Sequence, residues 1–201
     1  MLDIIDELGI VRRIFPEAEL LFSAGIIARH VSKVAEAIAA ERHSQNGGHQ
    51  FKVIVVLDGA MPYAVDLVRQ LAAFGVSDLA IDSIQLSRYG AETEPTKIPK
   101  IIKDLRYPIT DQDVLVVDDI LDGGLTLRYL REQILLPRAP ASLKITTLTE
   151  RMAAQLAGTP RSDYPTLAFQ DDGRFAMGYG LDMRQGQARH FASIYLVPKP
   201  G

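Results

Sequence analysis

A chain of 201 residues, 47% of them hydrophobic, is long enough to bury one sizeable core. Its net charge of -3 gives no global electrostatic reason to expect nucleic-acid binding, and the absence of cysteine excludes disulfides, thiolate catalysis and cysteine metal sites. There is no basic-then-apolar leader and no apolar run of bilayer-spanning length, so a soluble, cytoplasmic chain without a membrane partner is expected.

Residues 1–21 mix charged and apolar positions without a clean period, are interrupted by Pro16, and read as a peripheral segment. Ser23 is placed to cap a helix whose apolar Ile27, Val31, Val34 and Ile38 recur every three or four residues and which ends near His43. A glycine-bearing loop at 45–50 leads to FKVIVVL at 51–57, a run that reads as a buried strand. Asp58 and Gly59 turn the chain into a helix opened by Pro62 and stopped by Gly75. Residues 79–87 suit another strand. The polar stretch that follows, from Arg88 and Tyr89 onward, has no apolar pattern of its own, and a connection of that kind is usually functional or mobile.

Residues 114–127, VLVVDDILDGGLTL, are the most informative. The four leading apolar residues have the pattern of a strand buried on both faces of a parallel sheet, Asp118 and Asp119 stand at its carboxyl end, and 126–136 runs at helical length. Ligands of open α/β sheets bind at that end, where the loop into the next helix offers backbone N–H groups to an anion. Gly123 and Gly124 allow backbone angles and approaches that a β-carbon would block, and the Thr126 hydroxyl adds a donor. Carboxylates accept from ribose hydroxyls but repel phosphate, so an acidic pair followed by an anion cradle suits a sugar phosphate. The stretch has neither the Gly-Lys-Ser/Thr of a P-loop nor a G-x-G-x-x-G.

Residues 143–148 form the next expected strand, with Arg151 just beyond it, and a polar connection at 161–165 leads to a last segment carrying Phe175, Ala176, Asp182 and Arg189. A weakly alternating strand at 191–197 closes the chain. Taken one at a time, Phe175 fits a core strand, Asp182 a turn and Arg151 a solvated surface. His30, His43, His49 and His190 are not clustered, and there is no H-E-x-x-H or G-x-S-x-G.

The 114–127 stretch resembles the phosphoribosyl pyrophosphate signature of the type I phosphoribosyltransferases. Residues 53–71 resemble the first strand, loop and helix of the hypoxanthine-guanine phosphoribosyltransferase family, and 174–189 resemble its purine-binding segment. Covering 23–197, the resemblance implies an α/β fold with a mainly parallel central sheet flanked by helices and a small hood. One domain over 1–201 is expected, its core at about 23–157 and its hood from 1–22 and about 158–201. The implied activity is transfer of the phosphoribosyl group to hypoxanthine or guanine, with Mg²⁺ as cofactor, in a homodimer or homotetramer.

By the same resemblance Asp122 is the catalytic residue, while Asp118, Asp119, Gly123, Gly124, Leu125 and Thr126 hold the ribose and its 5′-phosphate. Asp58, Gly59 and Arg189 would face pyrophosphate. Arg88 and Tyr89 fall in the family's flexible catalytic loop. Arg151, Phe175 and Ala176 would bind the purine and Asp182 the metal. Three positions depart from the pattern. Asp58 stands where the family usually has a lysine, Arg88 where it has a serine, and Arg151 replaces a lysine that hydrogen-bonds the purine's exocyclic oxygen. An enzyme for xanthine or another base, or a regulator that senses phosphoribosyl pyrophosphate, are the alternative readings.

Overall fold

The computed structural model describes residues 6–44, 48–87, 99–152, 160–183 and 186–199. The N-terminal stretch, read from the sequence as a peripheral segment without a clean period, contains two elements. Helix α1 (Glu7–Ile14) starts at Asp6, whose carboxylate accepts the Gly9 N–H at 3.0 Å, and strand β1 (Glu19–Phe22) follows. The Glu7 carboxylate ties this segment to the C-terminal part of the chain by accepting from the Ala192 and Ser193 N–H groups and the Tyr195 hydroxyl at 2.7 to 3.0 Å.

Helix α2 (Ala24–Ser44) buries Ile27, Val31, Val34 and Ile38, the stripe visible in the sequence. After it come β2 (Phe51–Leu57), α3 (Met61–Ala73), β3 (Leu79–Ser87), β4 (Lys100–Lys103), β5 (Asp113–Leu121), α4 (Leu125–Tyr129), β6 (Ser142–Arg151), β7 (Leu167–Phe169), β8 (Phe175–Met177) and β9 (Ile194–Val197). The helix expected over 126–136 is regular only in α4. It then widens into a π-helical turn at Leu130–Leu135 and a 3₁₀ turn at Leu136–Arg138, where Pro137 cannot continue the ladder.

The main sheet runs β4-β3-β2-β5-β6-β7, parallel throughout except for the edge pair β3 and β4. Alternate side chains of one strand serve different cores. Val53 and Val55 pack under α2 and α3 with Leu115 and Val117, whereas Ile54 and Val56 pack with Val114, Val116, Leu127 and Ile134 on the opposite face. This two-sided burial is why β2 and β5 read as unbroken apolar runs. A smaller antiparallel sheet, β1-β9-β8, brings the N-terminal segment against the C-terminal one, and its Ala176 and Ile194, with Tyr179 just after β8, pack into the α2/α3 core. Tyr179 also donates to Asp66 of α3 at 2.7 Å. Among the described residues no helix is long and apolar enough to cross a membrane.

Ile54 is fully buried in the central strand. Ile54→Ala removes three carbons from a packed layer and should lower unfolding free energy by about 2–5 kcal/mol in a urea titration. An unchanged midpoint would contradict this packing.

Candidate functional site

Strand β5 pairs with β2 only as far as Val55↔Val117, but with β6 as far as Leu121↔Glu150. The sequence places Asp118 and Asp119 at the strand's end. In the structure the strand continues through them to Leu121, and it is the β2 pairing that stops. A cavity of about 280 Å³ opens where the two strands part, lined by Val56 and Leu57 on one side and Asp118 and Asp119 on the other, at the carboxyl end of the sheet. Both acids are buried there. Asp118 accepts the Asp119 N–H at 2.9 Å and Asp119 the Ile120 N–H at 2.8 Å, which fixes the plane of each carboxylate.

The cavity's second wall depends on two close backbone approaches. A β-carbon on Gly59 would lie 1.7 Å from the Asp119 carboxylate, and one on Gly180 would lie 2.0 Å from the Gly59 carbonyl oxygen. These contacts pack the loop after β2 against β5 and the segment after β8 against that loop. Arg189 donates to the Gly180 carbonyl and pairs with Asp182 at 3.2 Å, so cation and acid arrive at the cavity together. Asp58, after a cis Leu57–Asp58 peptide, accepts from Gln85 Nε2 at 3.3 Å.

The loop after β5 turns through Gly123 and Gly124 at φ 67° and 74°, a region that β-carbons disfavour. Gly123, Gly124 and Leu125 carry the chain along the cavity edge between Asp122 and Thr126, both of which line it. Arg151 forms the far wall. The sequence suggested an arginine beyond its strand, exposed if idle, but it is the last residue of β6 and only 8% of its side chain is exposed. Its Nε lies 3.6 Å from an Asp122 carboxylate oxygen, its Nη1 donates to Asp171 at 3.0 Å and to the Arg174 carbonyl at 3.1 Å, and the guanidinium sits 5.0 Å over the Phe169 ring. The Gly173 N–H, and after it the Arg151 guanidinium, hold the Asp171 carboxyl below the usual carboxylate range.

The expected residues Asp58, Gly59, Asp118, Asp119, Asp122 and Thr126 thus meet Arg151, Phe175, Ala176, Asp182 and Arg189 around one cavity. Arg88 and Tyr89 lie outside the described residues. Sequence reasoning missed Gln85, which carries no motif, and Asp171, which sits in an Asp-Asp-Gly turn signal that predicts a bend but no partner. Among the described residues no group of three or more metal-ligating side chains forms a ready cage.

Residues 25–184 match the family model described as a phosphoribosyl transferase domain. The hypoxanthine-guanine phosphoribosyltransferase of Bacillus subtilis is 33% identical over 157 residues, covering 78% of this chain and 83% of the relative. The hypoxanthine phosphoribosyltransferase of Escherichia coli K12 is 31% identical over 184 residues, covering 92% and 93%. Among solved structures, a hypoxanthine phosphoribosyl transferase of Trypanosoma cruzi superimposes with a TM-score of 0.78 at 29% identity, over 89% of this chain and 90% of that one.

The Gly59 approach generates a direct test. Asp119 can clear an added methyl only by leaving the Ile120 N–H, at a cost of about 1–3 kcal/mol. Gly59→Ala should therefore weaken ribose 5-phosphate binding, followed by calorimetry, about tenfold or more. Unchanged affinity would contradict the expectation that Asp119 holds the sugar.

Proposed function

The chain belongs to the phosphoribosyl transferase domain family, and on that footing we propose that it is a purine salvage enzyme. It transfers the 5-phosphoribosyl group of phosphoribosyl pyrophosphate to hypoxanthine or guanine, giving IMP or GMP and pyrophosphate. One observation carries the choice of base. Arg151 and Asp122 set a donor beside an acceptor, 3.6 Å apart, on a wall shared with Phe175. A 6-oxopurine presents the complement, an O6 acceptor next to an N7–H donor. Adenine would turn an amino donor toward Arg151, leaving buried donors unpaired.

In this reading Asp118 and Asp119 accept from the ribose hydroxyls, and the 5′-phosphate takes the N–H groups of Gly123, Gly124 and Leu125 and the Thr126 hydroxyl. Phe175 stacks on the base and the Ala176 backbone contacts its edge. As the bond from C1′ to the pyrophosphate oxygen breaks, its electron pair leaves with pyrophosphate, and Arg189 and the Gly59 N–H face the departing charge. The purine N9 lone pair forms the new bond to C1′. The N7 proton passes to Asp122, which becomes neutral, and the charge of Arg151 is then met by Asp171 and the Arg174 carbonyl.

The donor set fits Mg²⁺ delivered with the substrate. This ion keeps several waters and needs one or two carboxylates plus phosphate oxygens, which Asp182, with Asp118 or Asp119, would supply. When bound it neutralises charge on the pyrophosphate. The family resemblance extends the proposal to a cytoplasmic homodimer or homotetramer, whose subunit number sedimentation analysis would give.

A panel of bases tests the reading. Hypoxanthine and guanine should be converted, with adenine roughly 10⁴-fold poorer in kcat/KM. Preference for xanthine would move the assignment to another base, and comparable use of adenine would contradict the role of Arg151. Asp122→Asn should lower the single-turnover rate roughly 10²- to 10⁴-fold with little change in phosphoribosyl pyrophosphate affinity. A near-normal chemical step in that variant would leave Asp122 only as a partner of Arg151 and require another base.

A further inference from the structure

We infer that Asp171 is the positioning residue that sets base selectivity, by holding the Arg151 guanidinium at the purine's 6-oxo group and away from Asp122. The inference rests on the reading of Arg151 given above. A lysine at this place would be a compact point charge with rotatable donors, and its direction would matter little. An arginine is a planar fork, and its donors read an acceptor only when the plane is fixed. Arg151 is also buried, so its charge needs acceptors whether or not a purine is present.

Asp122 alone cannot meet both demands. If Arg151 had only that carboxylate, the two would close into a direct pair, and the acceptor intended for N7–H would be occupied. The structure holds them 3.6 Å apart instead, and the shorter contacts of Arg151 go elsewhere, to Asp171 at 3.0 Å and the Arg174 carbonyl at 3.1 Å. Both of these acceptors lie on one turn, 171–174, directly before Phe175. The turn is internally braced. Asp171 accepts the Gly173 N–H at 3.1 Å, and Asp172 accepts the Arg174 N–H at 3.0 Å. The Arg174 guanidinium then pins the turn to β1 through Glu19 at 2.6 Å while pairing with Asp172. A single turn therefore orients the arginine and delivers the aromatic ring that faces the same cavity.

The test is a set of steady-state measurements on the full chain with Asp171→Asn, Arg151→Lys and the double variant. Asp171→Asn should raise KM for hypoxanthine about ten- to a hundredfold, the range of one hydrogen bond to a charged group, and narrow the preference for hypoxanthine over adenine. KM for phosphoribosyl pyrophosphate should stay within about threefold, because a misdirected Arg151 does not touch the sugar site. Asp171→Glu, which keeps the charge, should recover part of the loss and serves in place of Asp171→Asn if that variant does not fold. In the Arg151→Lys background the Asp171→Asn effect should shrink severalfold, since an ammonium does not need the fork's alignment. Equal effects in both backgrounds, or a parallel rise in KM for phosphoribosyl pyrophosphate, would overturn the inference and leave Asp171 a structural turn residue. Arg151→Met separates this failure from that of the underlying reading. If it leaves the KM for hypoxanthine unchanged, Arg151 does not read the base. If it raises that KM while Asp171→Asn does not, only the role of Asp171 falls.

Discussion

A buried guanidinium must be surrounded by acceptors, and the working end of this structure is arranged around that demand at Arg151. The residue ends β6 and gathers partners from three other places: Asp122 from the loop after β5, Phe169 from β7, and Asp171 with the Arg174 carbonyl from the turn before β8. Each partner satisfies the charge, and Asp122 lines the cavity with Arg151. Under the proposed function this arrangement resolves a conflict between stability and chemistry, because the strongest single ion pair would silence the carboxylate beside it. Sharing the charge over several acceptors keeps Arg151 satisfied and leaves Asp122 close but not merged with it.

The opposite wall is held by backbone packing. Gly59 lies against Asp119 and Gly180 lies against Gly59, at separations no β-carbon tolerates. These approaches connect the main sheet to the segment between β8 and β9, so that Arg189 and Asp182 reach a cavity opened by the end of the β2 pairing. Strand lengths position the acids, and glycines position the loops that close around them.

Much of this was legible in the residues because burial on both sheet faces leaves a strong mark. Strands β2 and β3 coincide with their expected bounds, and the α2 stripe follows its apolar spacing. The run from Asp118 to Thr126 pointed to one end of one strand, and its Asp118, Asp119, Asp122 and Thr126 do meet at the cavity. Other features carried weaker signals. Helix α1 has a single fully buried position, Val11, and its capping acid sits among other charges, so no period stands out. Strand β5 extends through two aspartates, which normally end strands, because their charges face a cavity. The π-helical turn after α4 depends on packing that no local propensity records. The burial of Arg151 needs partners 20 and 29 residues away in opposite directions along the chain, Asp171 and Asp122. Pattern reading cannot supply such pairings.

The central claim is that an arginine and an aspartate read O6 and N7–H of one purine edge, with the aspartate taking the proton. Kinetics with 7-deazahypoxanthine, in which carbon replaces N7, test it most directly. The analogue keeps the oxygen for Arg151 and lacks the proton for Asp122. It should compete with hypoxanthine for the site, yet form nucleotide at least about a hundredfold more slowly. Turnover at a rate close to that of hypoxanthine would contradict the account, because the proton at N7 would then have no part in the reaction.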